Sequence, residues 1–189
     1  MIVIGAIFGA CFGGVHSQSF GRRNTILASI VLSMVGISCI LYHFLLRLLH
    51  QSYMFGSHHA FLFIGQFIIG FAAQYLGCAI PAYTSEICQP RVRKLSGTFF
   101  ITFFSFGSAF MFLLLALFTV PVAMEIILVL TILNFILVTF CPKSPTWLIQ
   151  KGHRQEAFEI LASLRGCEIV AKEELERLEN KVYDLSKKY

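Results

Sequence analysis

GVHSQSFGRRNTILASIVLSMVGISCILYHFLL, residues Gly14–Leu46, decides the fold. A glycine and the pair Arg22-Arg23 precede Thr25–Leu46, a run with twelve Ile, Leu, Val or Phe residues and no charge. At about −0.3 to −0.6 kcal/mol for each of those residues, inserting the run into a bilayer is favoured by about 4 to 7 kcal/mol before polar terms. An open sheet or loop is excluded at that depth, because its amides would have no partners. The run is therefore a membrane helix, and Arg22 and Arg23 mark its end.

Four more runs on either side have a similar character. A helix needs about 20 apolar residues to cross the hydrocarbon core. The spans are expected at about 1–17, 25–46, 60–83, 97–120 and 122–141, with Glu125 near the start of the fifth. Of the 189 residues, 57% are hydrophobic and only 13% charged, against about 25% charged in a soluble domain. Residues 1–150 hold seven Lys/Arg and two Asp/Glu, whereas 151–189 hold eight of each. The fold class is all-α: a bundle of five transmembrane helices over 1–141, then a charged helical segment over 142–189.

Basic residues cluster after every other run. Arg22 and Arg23 follow the first, Arg91, Arg93 and Lys94 the third, and Lys143, Lys151 and Arg154 the fifth. Those eight lie on one side, against Arg47 on the other. Cytoplasmic flanks carry the excess of Lys and Arg, so five spans put the N-terminus outside and the C-terminus in the cytoplasm. The first run lacks a preceding basic residue and has Gly throughout, unlike a signal peptide.

Gly5, Gly9 and Gly13 recur every four residues, as do Ala6, Ala10 and Gly14, and Gly70 and Gly77 lie seven apart. Small residues at such spacing let a neighbouring backbone approach closely. Six cysteines show no metal spacing and read as small buried hydrophobes. His16, His43, His50, His58 and His59 sit beside no nucleophile, with His58 and His59 in an outer loop, so enzymatic machinery is not expected. No cofactor or metal is implied. No soluble basic face exists for nucleic acid.

In the tail, Ala157, Ile160, Leu161 and Leu164 form one amphipathic stripe closed by Gly166, and Leu175, Leu178, Val182 and Leu185 a second. Glu173 and Arg177 are spaced for an i, i+4 pair. Two arrangements stay open: a solvated helix, or a helical lid packed on the span ends.

Three motifs carry a family resemblance. Gly14-Val-His-Ser-Gln18-Ser-Phe-Gly21-Arg22-Arg23 resembles G-x-x-x-D-R-x-G-R-R, the loop between a second and third helix. Pro81-Ala-Tyr83-Thr-Ser85-Glu86, with Arg93 beyond, resembles the end of a fourth helix and its loop. Pro142-Lys-Ser144-Pro145-Thr-Trp147-Leu148, then Leu164-Arg165-Gly166, resembles the P-E-S-P-R-x-L stretch after a sixth helix. Together, in order, they resemble the sugar-porter branch of the major facilitator superfamily, the facilitative glucose and trehalose transporters.

The resemblance implies a partial chain covering helices two to six of twelve, without the family's first helix or second half. It implies a sugar as substrate, the bilayer as surroundings, and the plasma membrane as location. It also implies a cytoplasmic gate built from Gly14, Gln18, Gly21, Arg22, Arg23, Glu86, Arg93, Pro142 and Pro145, with Glu86 as counter-charge. The chain departs from the family at Gln18, Ser19, Gln66, Lys143 and Thr146, each of which loses or reverses a charge. Ile101 stands where glucose carriers place a sugar-binding Gln in G-T-L-x-Q-L, which leaves Gln66, Thr102 and Ser105 as substrate-site candidates. The alternative is a non-transporting membrane protein that modulates a full-length relative through the Gly5/Gly9/Gly13 stripe.

Overall fold

The computed structural model describes residues 1–49, 57–88 and 92–186. Arg91, and the side chains of Arg93, Lys94, His58 and Leu185, lie outside what it describes. Eight helices occupy the described residues: α1 (Ile2–Phe20), α2 (Arg22–Leu49), α3 (Ser57–Ile87), α4 (Arg93–Leu117), α5 (Val120–Thr139), α6 (Pro145–Gln150), α7 (Arg154–Arg165) and α8 (Glu168–Ser186). The first five are long and apolar enough to cross a membrane.

The expected boundaries shift where turn chemistry prevails over hydropathy. The expected loop around Gly14–Arg23 shrinks to a single corner residue, because Gly21 takes φ +90, a conformation that glycine adopts without strain. Helix α2 thus begins at Arg22, and Gln18 and Ser19 belong to α1. Helix α3 runs on to Ile87, so Glu86 lies in its last turn rather than beyond it. Thr119 is the extended N-cap of α5, with Pro121 in the first turn, where a missing N–H costs nothing. Val120 therefore opens α5 instead of closing α4. His59 lies within α3, its ring 5.4 Å from the buried His43 ring, not in an outer loop.

Helix α3 is the centre of the bundle, packed on α1 and on α2, with α5 against α2. The α1–α3 contact is set by absent side chains. The buried residues of α1 are Gly5, Gly9, Gly13 and Ser17, while Ile7, Phe8, Phe12 and Val15 point outward. A Cβ at Gly5 would sit 2.1 Å from the Phe67 carbonyl oxygen, and one at Gly9 2.3 Å from that of Phe71. Large side chains gain nothing by facing inward in lipid, so close backbone packing decides which face is buried. The companion row fails: Ala10 and Gly14 are exposed, and Gly14 has nothing within 4 Å. Gly70 meets Ile2, but Gly77 faces open space. The α2–α3 crossing uses another pair, since a Cβ at Gly65 would lie 2.8 Å from the Gly36 carbonyl oxygen.

The tail packs as a small helical layer. Leu148 of α6, Ala157 and Leu161 of α7, and Ala171 and Leu175 of α8 form its buried centre. The Glu173–Arg177 pair is not formed among the described residues. Inter-helix pairs replace it, Arg154–Glu179 at 2.8 Å and Arg165–Glu174 at 2.6 Å.

Gly9→Ala is expected to disrupt the α1–α3 contact, at a cost of roughly 1–3 kcal/mol for overpacking. Gly14→Ala is expected to leave stability unchanged or slightly raised, since alanine is the better helix former. Thermal unfolding of the two variants in mild detergent reads the difference directly.

Candidate functional site at the basic end of the bundle

All three motif segments that the sequence singles out meet at one end of the bundle around Glu86. The Gly21 corner turns α2 back beside α1 and presents Arg22 to the end of α3. Arg22 Nε donates to Glu86 Oε1 at 3.1 Å, with both side chains less than a fifth exposed. Arg22 Nη1 donates to Ser17 Oγ at 2.8 Å, in the last turns of α1. The other Glu86 oxygen accepts from Ser144 Oγ. Ser144 is also the N-cap of α6, its Oγ accepting from the Trp147 N–H at 3.3 Å. Pro145 follows at the first helical position and is buried. The Trp147 indole lies flat enough on Gly21 that a Cβ there would come within 3.0 Å of it. Ser17, Arg22, Glu86, Ser144 and Trp147 thus join the α1–α2 corner, the end of α3 and the start of the tail.

Further ties reinforce this junction. Tyr83 donates to the Pro142 carbonyl at 2.7 Å. Arg165 holds Glu174 through two bonds, at 2.6 and 2.8 Å, and donates to the Ile87 carbonyl at 3.1 Å. The Glu174 carboxylate keeps the Arg165 guanidinium protonated more firmly than usual, against the opposing effect of burial. A paired guanidinium with two carboxylate bonds fixes geometry as well as charge. The tail is therefore fastened to the bundle.

The other expected site residues fall as follows. Arg23 does not join Glu86; it donates to the Thr139 carbonyl at the end of α5. Gln18 and Gly14 are exposed on α1, and Gln18 makes no side-chain bond among the described residues. Lys143 pairs with Glu156 at 2.7 Å, outside the Glu86 cluster. Thr102 and Ser105 are exposed on α4 and donate to their own helix, to Thr98 and Ile101 carbonyls at 3.0 Å each. Gln66 is half-buried in α3 and, among the described residues, makes no side-chain bond. Thr102 and Ser105 lie one turn apart on α4 and Gln66 on α3, and no side-chain hydrogen bond joins the three among the described residues. The sequence reading missed Ser17 and Ser144 as partners; Ser144 before Pro145 carried a helix-start signal that names it.

What the geometry defines is a multi-pass helical membrane protein with a charged junction at one face. A family model described as "Sugar (and other) transporter" matches residues 1–188, and the chain belongs to that family. It is 30% identical over 186 residues to the human "Solute carrier family 2, facilitated glucose transporter member 6", covering 96% of this chain and 33% of that protein. It is 26% identical over 181 residues to the arabinose-proton symporter of Escherichia coli K12, covering 94% and 36%. It is 26% identical over 178 residues to the facilitated trehalose transporter Tret1 of Drosophila erecta, covering 93% and 19%. The chain thus spans at most about a third of these relatives. The fold matches a partially occluded inward-open structure of the E. coli xylose transporter XylE at TM-score 0.82 and 19% identity, over 97% of this chain and 47% of that one.

Glu86→Ala is expected to cost about 1–3 kcal/mol, because it orphans a largely buried guanidinium and a serine donor. Lys143→Ala removes a pair whose side chains are 47% and 42% exposed, and is expected to cost at most about 1 kcal/mol. A double-mutant cycle of Glu86 with Arg22, read by thermal unfolding, is expected to show coupling well above that of Lys143 with Glu156.

Proposed function

We propose that the chain corresponds to the second to sixth helices of a facilitative sugar transporter, of the hexose or trehalose class, that works by alternating access. In this reading it is a transporter rather than an enzyme. Residues 1–141 form the membrane bundle and 142–189 a cytoplasmic helical segment. The basic end faces the cytoplasm of a plasma-membrane protein, with the N-terminus outside.

The Arg22–Glu86 pair, with Ser17 and Ser144 on its two sides, is the observation that supports this reading most. An ion pair that ties separate helix ends at one membrane face holds in one arrangement and releases in another. Gly21 sets its angle, Pro142 and Pro145 set the path of the connecting segment, and Arg93 follows on the next helix. We read the junction as the cytoplasmic latch of a transport cycle in which one helical half rocks against the other. Gln66, Thr102 and Ser105 are too few to hold a sugar by themselves, so the substrate site draws on the remainder of a longer chain.

The competing reading is a non-transporting protein that associates with a full-length relative. The glycine stripe does not support it, because α3 already fills that stripe. Helix α4 does: only 6% of its span is buried, against 39% for α2.

Radiolabelled hexose and trehalose uptake separates the readings. Vesicles holding this chain alone are expected to show background uptake. Co-expression with the complementary helices of the human relative is expected to give saturable, competitor-blocked uptake. Saturable uptake by this chain alone would overturn the need for the other helices, and background uptake in both cases would sink the transport reading.

A further inference from the structure

Arg23 is the charge that the junction leaves over. Arg22 has Glu86, but Arg23 forms no ion pair among the described residues. Its Nη2 donates to the Thr139 carbonyl. Its Nε is sealed from solvent and has no acceptor. The side chain borders a cavity of about 180 Å³ between α2, α3 and α5. Ile26, Ile30, Leu76, Ile80 and Val138 supply apolar wall, and Asn134 adds a polar amide on the α5 side. The Tyr83 hydroxyl at its edge is committed to Pro142 and does not offset the charge.

Water is a poor occupant of the apolar end of this space. A cavity of about 150 Å³ lined by aliphatic side chains stays dry and takes up small apolar molecules. Here one wall carries the Arg23 guanidinium, whose charge has no carboxylate partner among the described residues, and an anion is the strongest partner for it. A free inorganic anion would leave the apolar volume empty. A hydrocarbon alone would leave the N–H unpaired. A molecule with both parts satisfies both walls.

We propose that this cavity binds one amphiphile, with a phosphate or carboxylate head on Arg23 and the start of its apolar chain between α2, α3 and α5. The bilayer supplies such a molecule as an anionic phospholipid, and the surroundings supply it as a free fatty acid. The cytoplasmic placement proposed above puts the cavity on the leaflet rich in anionic lipid; the binding chemistry itself does not depend on that placement or on transport. Occupancy would brace the α2–α5 contact beside the Arg22–Glu86 latch.

The test uses the whole chain in nanodiscs of phosphatidylcholine doped with phosphatidylglycerol. Native mass spectrometry after gentle release is expected to show one retained phosphatidylglycerol per chain, in preference to phosphatidylcholine. Arg23→Gln is expected to lower that retention about tenfold, and Ile30→Trp, which fills the cavity while keeping Arg23, to lower it comparably. Lys151→Gln, at an exposed basic position, is expected to leave it unchanged. In the unaltered chain Cys141 borders the same cavity, so its maleimide modification, followed by peptide mapping, is expected to slow when the amphiphile binds. Protection by phosphatidylglycerol assigns the bilayer as source, and protection by oleate alone assigns a free fatty acid. Equal losses in Arg23→Gln and Lys151→Gln, or Cys141 labelling indifferent to both amphiphiles, would overturn the proposal.

Discussion

The close approach of α1 to α3 is the constraint on which the rest depends. Gly5 and Gly9 let the α3 backbone come within a distance that no Cβ permits. Lipid gives the large side chains of α1 no reason to turn inward, so they lie on its outer side, and α1 is held on α3 by backbone proximity. With α1 fixed on α3, the last turn of α1 comes to lie beside the last turns of α3. The Gly21 corner then returns the chain immediately into α2, and Arg22 reaches Glu86. A bulkier residue at Gly9 would therefore act at a distance on the charge pair.

The Glu86 carboxylate is the second organising element, because it serves two segments at once. One oxygen takes Arg22 and the other takes Ser144. Ser144 in turn starts α6, and Trp147 one turn on covers Gly21. The amphipathic tail, which pattern alone leaves undecided between a solvated helix and a lid, is thereby packed on the bundle. Arg165 repeats the device at the other end of α7, joining Glu174 to the Ile87 carbonyl. Each contact is modest by itself; together they fasten the tail to the ends of the membrane helices.

The helices are unequal in how far they are satisfied within the chain. Helices α1, α2 and α3 bury a small-residue seam, while α4 exposes Phe99, Phe103, Phe106 and Phe112 nearly all round. The chain spans about a third of the length of the human and E. coli K12 relatives it matches. The family model shows membership in the sugar transporter family and the xylose transporter structure shows the fold, while the transport activity itself belongs to the proposal.

The sequence by itself determined the class of the fold: five apolar runs, the alternation of basic ends and the three motif segments were enough for a membrane bundle of this family. Hydropathy is additive along the chain, so spans are legible without contacts. It also named Gly21, Arg22, Glu86 and Pro145, because turn, charge and helix-start chemistry are local. Partner choice was not local. That Glu86 takes Arg22 and not Arg23, that Ser17 and Ser144 complete the pair, and that Gly14 is idle while Gly36 and Gly65 make a crossing followed only once helices were placed side by side. A one-residue corner at Gly21 rotates the two arginines onto different neighbours, α3 and α5, and only the tertiary structure fixes that rotation.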